Sequence, residues 1–471
     1  MPHPDSLASR FARLQRAARD DPNPDRAVRA RRLRALDRLL LDNEQAFADA
    51  VRQDFGHRSP AETRLLELFP SHAAIRHASH HLRRWMRPQA RSVSLWFQPG
   101  RAELRYQPLG AVGIIVPWNY PIFLAAAPLA AALAAGNRAL VKMSELTPAT
   151  AALFAERVGK YFADDELSVV EGDVGVAQEF SRLPFDHLLF TGSTAVGRQV
   201  MRAAADNLTP VTLELGGKSP AIIGPGLSTA QFAHAVERII IGKSMNAGQT
   251  CIAPDYVLLP AGQEQAFIDV ARRVVGDCYP DIERTADYTT IVDQRQYARL
   301  CAYLDEARAA GARVVDLAPG AVADPAARRL PPLALLDAGD ELRVMQEEIF
   351  GPLLPLRPYR DLDAAIAFIN SRPRPLALYY FDRAPANIER VLNETVAGGV
   401  TINDTILHIA QDDLPFGGVG PSGMGCYHGF EGFQTFSARK AVFRQSRLSA
   451  IGLFKPPYGA LFERLTRILL R

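Results

Sequence analysis

The sequence predicts an α/β fold: a parallel sheet covered on both faces by helices, followed by a second α/β unit. Three observations carry that prediction. At 471 residues the chain is too long for one ordinary core. Its composition, 48% hydrophobic and 22% charged, is that of a globular protein able to bury sizeable cores. Short apolar β-type runs alternate with helical stretches through its middle, the pattern of strands laid parallel and buried on both faces.

Taken in order, residues up to about 85 read as helices. Leu33, Leu36, Leu39 and Leu40, then Leu65, Leu66 and Phe69, recur at helical spacing. Arg29, Arg31, Arg32 and Arg34 lie among these leucines and are flanked by Asp20, Asp21, Asp25 and Asp37. They read as a solvated helix face rather than a nucleic-acid site. His77, His80 and His81 fall at helical spacing, but no carboxylate or cysteine joins them nearby, so no metal is expected. Residues 92–106 alternate loosely, as an extended arm would.

A regular rhythm follows. Residues 111–116, 138–142, 167–170, 187–190 and 211–214 read as strands, and 122–135 as an alanine-rich helix containing Pro128. Thr147 and Pro148 suit the N-cap and first position of the next helix. Such sheets bind ligands at the carboxyl ends of their strands, which makes this half the cofactor-domain candidate. The second unit has strands at 221–223 and 256–259, helices at 231–241 and 263–275, and a Pro/Ala/Gly loop at 319–332.

Bulk properties narrow the setting. The formal charge of +3 is small for this length and points to no polyanionic partner. Four cysteines, at 251, 278, 301 and 426, form no CxxC pair and no dense framework, so a reducing compartment is expected. The first residues lack the apolar core of a signal peptide, and the longest apolar stretch, 124–135, is too short for a membrane span. The protein is expected in the cytoplasm. In the C-terminal tail Leu461, Leu465, Ile468 and Leu469 share one face, with Arg464, Arg467 and Arg471 elsewhere. That face suits docking on protein or a partner subunit better than a membrane surface.

Four motifs carry chemistry. Cys251 ends Asn-Ala-Gly-Gln-Thr-Cys (246–251), a small, polar, glycine-containing loop that would give a nucleophilic thiol access; the other three cysteines read as small core hydrophobes. Glu214 closes a strand and precedes paired glycines, where a partly desolvated carboxylate could act as a general base towards water. Asn119 lies between two prolines in Pro-Trp-Asn-Tyr-Pro (117–121), directly after a strand. Its amide could donate to an oxygen bearing negative charge, a contribution of roughly 3 kcal/mol in a transition state. Phe-Thr-Gly-Ser-Thr-Ala-Val-Gly (190–197), where a strand meets a helix, offers glycines and free N–H groups suited to a pyrophosphate, although the GxGxxG pattern is not satisfied.

Together with VKMSE (141–145), EEIFGP (347–352) and LPFGGVGPSGMG (414–425), these motifs closely resemble the aldehyde dehydrogenase superfamily over about residues 105–445. The runs QTCIAPDY and GMGCYHGFEGFQTFS look like its class 3 branch, and within it like bacterial coniferyl aldehyde dehydrogenases. The resemblance implies an NAD-binding domain at 1–211, to which the chain returns at about 405–425, a catalytic domain at 212–404, and bridging arms at 88–107 and 426–445. It implies Cys251 as nucleophile, Glu214 as base, and Asn119 with the Cys251 N–H as oxyanion hole. Lys142 and Glu145 would bind the adenosine ribose. Glu348 would hold the nicotinamide ribose with Phe350 beside it, and Gly192, Ser193 and Gly197 would serve the cofactor. Tyr120, Met245, Phe416 and His428 would line or flank the aldehyde entrance.

The implied reaction is oxidation of an aldehyde through a thiohemiacetal and a thioester that water hydrolyses. NAD is favoured because Glu145 can accept from a ribose 2′-OH and would repel a 2′-phosphate; NADP stays open. Coniferyl aldehyde is the specific substrate expected, within aromatic or medium-chain aldehydes, and the protein is expected to be a homodimer. Met143 departs from the proline many members carry between Lys142 and Glu145. A CoA-acylating enzyme is the runner-up, which Glu214 argues against, and a non-enzymatic protein on this fold is a remote third reading.

Overall fold

The computed structural model describes residues 6–470. Six strands form one sheet in the order Gly423–Met424, Val211–Leu215, His187–Gly192, Ala111–Ile115, Arg138–Lys142, Leu167–Val170, parallel except for the first pair. Seven strands form a second sheet, in which Pro220–Ile223 and Tyr256–Pro260 are central and only the edge strand Arg313–Asp316 runs antiparallel. Gln89–Arg91, Arg101–Pro108 and Ser437–Arg444 make a small antiparallel sheet, so two stretches far apart in sequence meet in one arm. Within the extended stretch expected at 92–106, Leu95–Phe97 coils into a short 3-10 turn.

One helix organises the region around the site. Phe123–Ala135 is apolar all round and every residue of it is buried, as a helix enclosed by others must be. Its ends still need partners, because the first N–H and last C=O groups of a helix are unsatisfied and carry partial charge. No side chain of its own caps it. Instead Glu67 accepts from the N–H groups of Ile122 (2.7 Å) and Phe123 (3.3 Å). At the other end Arg29 donates to the carbonyls of Ala134 (3.1 Å) and Ala135 (2.6 Å). A carboxylate thus meets the positive end and a guanidinium the negative end.

This corrects the reading of the arginine-rich helix. Arg29 and Arg32 are 1% and 2% exposed. Arg32 pairs with Glu166 at 3.0 Å, and burial lowers the Arg29 guanidinium to about 10. Interleaving with leucines looks the same whether the far side of a helix meets water or another helix. A second correction concerns Thr147. It precedes the helix Pro148–Tyr161 but makes no side-chain cap; Asp54 supplies it, accepting from Ala149 and Thr150 N–H at 2.8 Å each. Nor are the other cysteines in the core: Cys278 is exposed, and Cys301 and Cys426 are half-buried.

Among the described residues no helix is long and apolar enough to cross a membrane, and no three His, Cys, Asp or Glu side chains are gathered as a metal site. The tail ends in a helix, Ala460–Leu469, on which Leu461 and Ile468 are exposed.

Candidate active site

Cys251 follows a tight loop. The helix Thr229–Ser244 runs into the turn Met245–Gly248, where Asn246 and Ala247 take left-handed backbone with φ of 53° and 51°. Such conformations cost about 1–3 kcal/mol each and persist only where surroundings hold them. The holding groups are specific. Gln249, fully buried, donates to the carbonyls of Asn246 and Thr290 (3.0 Å each) and accepts from Val292 N–H (2.9 Å). The Asn246 amide donates to the carbonyls of Asn119 and Gln249, each 3.1 Å, and its backbone N–H donates to Glu62.

The same network positions Asn119. Its carbonyl also accepts from Arg58 (3.1 Å), which forms a fully buried ion pair with Glu67 at 2.9 Å. One side-chain amide hydrogen goes to the Gln249 carbonyl at 3.2 Å. An amide carries two such hydrogens, and Asn119 borders a cavity that Cys251 also lines. Glu67 is presented by a π-helical turn, Arg64–Leu68, a local widening often found at functional sites.

Three glutamates, Glu214, Glu347 and Glu348, line that cavity, and two of them are strongly perturbed. Glu214, at the end of Val211–Leu215, is buried with neither carboxylate oxygen hydrogen-bonded. Burial alone raises its carboxyl well above the ordinary range. Glu348 is pushed up to about 8, chiefly by burial and then by Asp255. Its loop is clamped by Lys218, which donates to Asp255 (2.5 Å) and to the carbonyls of Val344 and Glu347. Arg299 adds bonds to the carbonyls of Glu348 (3.3 Å) and Ile349 (2.8 Å). The clamp turns Phe350 into left-handed backbone (φ 49°), edge-on to Trp118 at 5.3 Å. The Cys251 thiol is raised by burial first and by Glu348 and Glu214 next. Each negative charge in this site therefore opposes the next.

Two cavities meet at Cys251. One, about 330 Å³, is lined by Asn119, Gly192, Ser193, Glu214, Glu348 and Phe350 among others. The other, about 400 Å³, opens past Tyr120, Met245, Ile406 and His428 to a mouth on the surface. The thiol lies between a chamber rich in polar groups and an apolar funnel. The expected residues divide accordingly. Tyr120, Met245 and His428 line the funnel, whereas Phe416 lines the first chamber and stacks on His428 with ring centres 5.5 Å apart. Gly197 faces neither cavity: it sits in the helix Thr194–Ala205, where a Cβ would press on Leu215. Lys142 and Glu145 stand 3.8 Å apart at the end of Arg138–Lys142, outside both linings, and the Lys142 ammonium donates to the Met143 carbonyl (2.6 Å). Ser193 caps its helix through Val196 N–H.

The Aldehyde dehydrogenase family profile matches residues 12–442. The chain belongs to the aldehyde dehydrogenase family. This aldehyde dehydrogenase is 53% identical to a probable coniferyl aldehyde dehydrogenase of Pseudomonas aeruginosa, over 98% of this chain and 95% of that one. It is 46% identical to the coniferyl aldehyde dehydrogenase of a Pseudomonas species, over 99% and 96%. A substrate-bound Staphylococcus aureus AldH superposes with a TM-score of 0.93 at 36% identity, covering 99% of this chain and all of that one. The expected fold and the enzyme class, NAD(P)-dependent aldehyde oxidation, are borne out.

Sequence reasoning missed several contributors. Leu65, Leu66 and Phe69, read as one apolar helix face, form part of the funnel wall, with Leu65 58% and Phe69 63% exposed. Thr405 and Leu407 supply the opposite side. Lys218 and Arg58 hold the loops that carry Glu348 and Asn119. Both lie in loops between regular elements, where a charged residue reads as solvated and names no partner.

Proposed function

We propose that this enzyme oxidises coniferyl aldehyde, or a closely related aromatic aldehyde, to the carboxylic acid with NAD as the preferred acceptor. The observation that carries the reading is Cys251 at the junction of two cavities, with the unpartnered Glu214 carboxyl in the wall of one. In the first step the thiol gives up its proton to solvent, and sulfur bonds to the carbonyl carbon. The oxygen takes up negative charge and accepts from the Asn119 amide and the Cys251 N–H. When bound, NAD supplies a hydride acceptor. The residues present fit it: Gly192 and Ser193 line the chamber at the start of a helix, and Glu348 keeps a buried carboxylate oxygen without a partner. Glu348 would take a ribose hydroxyl there, with Lys142 and Glu145 reserved for the adenosine ribose. Loss of hydride leaves a thioester on Cys251. Glu214 then takes a proton from water, the hydroxide adds to the acyl carbon, and as the C–S bond breaks Glu214 returns that proton to sulfur, releasing the acid and restoring the thiol.

The apolar, partly aromatic funnel supports a flat hydrophobic substrate, as do the names of the relatives at 46–53% identity. The division into an NAD-binding part (1–211 and about 405–425), a catalytic part (212–404) and two arms belongs to the same reading. So does a homodimer, supported by exposed Leu95, Trp96, Phe97 and Phe443 on the arm sheet, an apolar cluster of the kind that marks interfaces. The free thiol of the exposed Cys278 suits a reducing cytoplasm.

The test is pre-steady-state cofactor reduction with coniferyl aldehyde, benzaldehyde and hexanal, with and without CoA. Coniferyl aldehyde should give the highest kcat/KM, independent of CoA. Cys251→Ala should abolish turnover, and Glu214→Gln should leave a single burst of NADH per active site. An unchanged steady-state rate in Glu214→Gln refutes the base, CoA-dependent turnover refutes hydrolysis, and preference for hexanal refutes the aromatic substrate.

A further inference from the structure

The apolar lining of the funnel is interrupted by three charged side chains, Arg238, Asp404 and Asp412. Arg238, Ile241, Gly242 and Met245 all line it, and their spacing of three and four places them along one face of the helix Thr229–Ser244 and its end. Arg238 therefore stands seven residues, about 10 Å of helical rise, away from Met245, which borders the Cys251 loop. Among the described residues lining the funnel, Arg238 is the one permanent cation. Its Nε is buried with no hydrogen-bond partner, and its ion pair with Glu237 is loose at 3.6 Å.

The return segment brings a carboxylate to the same funnel. Thr405 Oγ1 donates to the Arg238 carbonyl at 3.0 Å, and a Cβ on Gly242 would overlap Thr405. Glycine there lets the segment lie against the helix. Asp404, the preceding residue, also lines the funnel, and one of its oxygens accepts from Thr405 N–H at 2.7 Å. No ion pair joins Asp404 to Arg238 among the described residues. Asp412, further along the segment, borders the same space.

We propose that Arg238 and Asp404 form a recognition site for a neutral hydroxyl on the end of the substrate remote from its aldehyde. A hydroxyl can do what the two side chains ask together: its oxygen accepts from the guanidinium and its hydrogen goes to the carboxylate. A remote carboxylate would face Asp404 and Asp412; a plain hydrocarbon end would leave Arg238 unanswered. The roughly 10 Å of helix between Met245 and Arg238 leaves room for a phenol joined to its aldehyde through a short unsaturated linker. The inference rests on the funnel being the aldehyde entrance and goes beyond it, since it names the group that is read and the residues that read it. A site made to hydrogen-bond a substrate hydroxyl discriminates against the analogue without one more strongly than an apolar wall can.

The experiment compares kcat/KM for coniferyl aldehyde against cinnamaldehyde, which lacks the ring oxygens, and for 6-hydroxyhexanal against hexanal. Wild-type enzyme should favour the hydroxylated member of each pair by about tenfold, carried by KM. Arg238→Met should bring both ratios to within about twofold of one, and Asp404→Asn, which reads the same site if the first variant folds poorly, should narrow them as well. Ratios that stay at the wild-type value in both variants, or a wild-type enzyme indifferent to the hydroxyl, overturn the proposal. If hexanal outruns the aromatic aldehydes while the hydroxyl ratios behave as stated, the aromatic reading fails and this one stands.

Discussion

Removing Glu67 tests whether the N-terminal helices hold the site together. Its carboxylate is fully buried and accepts three hydrogen bonds, from Arg58 (2.9 Å), Ile122 N–H (2.7 Å) and Phe123 N–H (3.3 Å). Glu67→Ala leaves Arg58 as an uncompensated buried charge, which costs about 3–5 kcal/mol. It also strands two buried N–H groups at about 1–3 kcal/mol each, only partly additive because water can enter the space left. A net loss of about 4 kcal/mol is expected from these magnitudes. Unfolding entropy of about 2.1 cal/mol/K per residue comes to about 1 kcal/mol/K for the whole chain, so Tm should fall by about 4 °C. Activity should fall further than stability, because Arg58 also fixes the Asn119 carbonyl. The double variant Arg58→Met/Glu67→Gln leaves no stranded charge and keeps an acceptor for Ile122, so it should recover at least half of the lost Tm. Thermal melts and kcat on the three proteins decide the matter. A Tm loss under 1 °C for Glu67→Ala, or a double variant less stable than the single, would refute the reasoning.

Two further outcomes follow from the site. Gly216→Ala should raise the KM for NAD about tenfold with little change in Tm, because a Cβ there would overlap the Glu348 carboxylate and displacing one well-placed acceptor costs on the order of 1.4 kcal/mol; unchanged cofactor titrations would count against Glu348 as a ribose ligand. Hydrolysis of the acyl-enzyme should depend on pH in one direction. The Glu214 carboxyl is raised by burial and must be ionised to take a proton from water, so single-turnover acid release should slow as pH falls through that raised value and speed up as pH rises. A rate flat from about pH 6 to 9, where an ordinary glutamate near 4.3 is already ionised, would mean that another group is the base.

The residues proposed to react could be picked out in the sequence because the chemistry proposed for them depends on local backbone. A glycine loop presents Cys251, a strand end followed by glycines presents Glu214, and prolines flank Asn119; each of these can be read within a few residues of chain. The alternation of strands and helices was legible for the same reason, since its period is a local property. What lay outside the sequence were the partners. Arg29 and Arg32 read as solvated because a helical pattern shows which side is apolar and not what covers the other. Asp54 caps a helix 95 residues away, Glu67 caps another 55 residues away, and Arg238 meets a return segment 167 residues on. Phe416 and Gly197 were assigned by motif, and the packing turned one to the other chamber and the other towards the sheet. A buried charge is tolerated only where a partner answers it. Chain topology brings that partner from a distance, so local sequence named the groups proposed to react and tertiary structure alone decided which groups hold them.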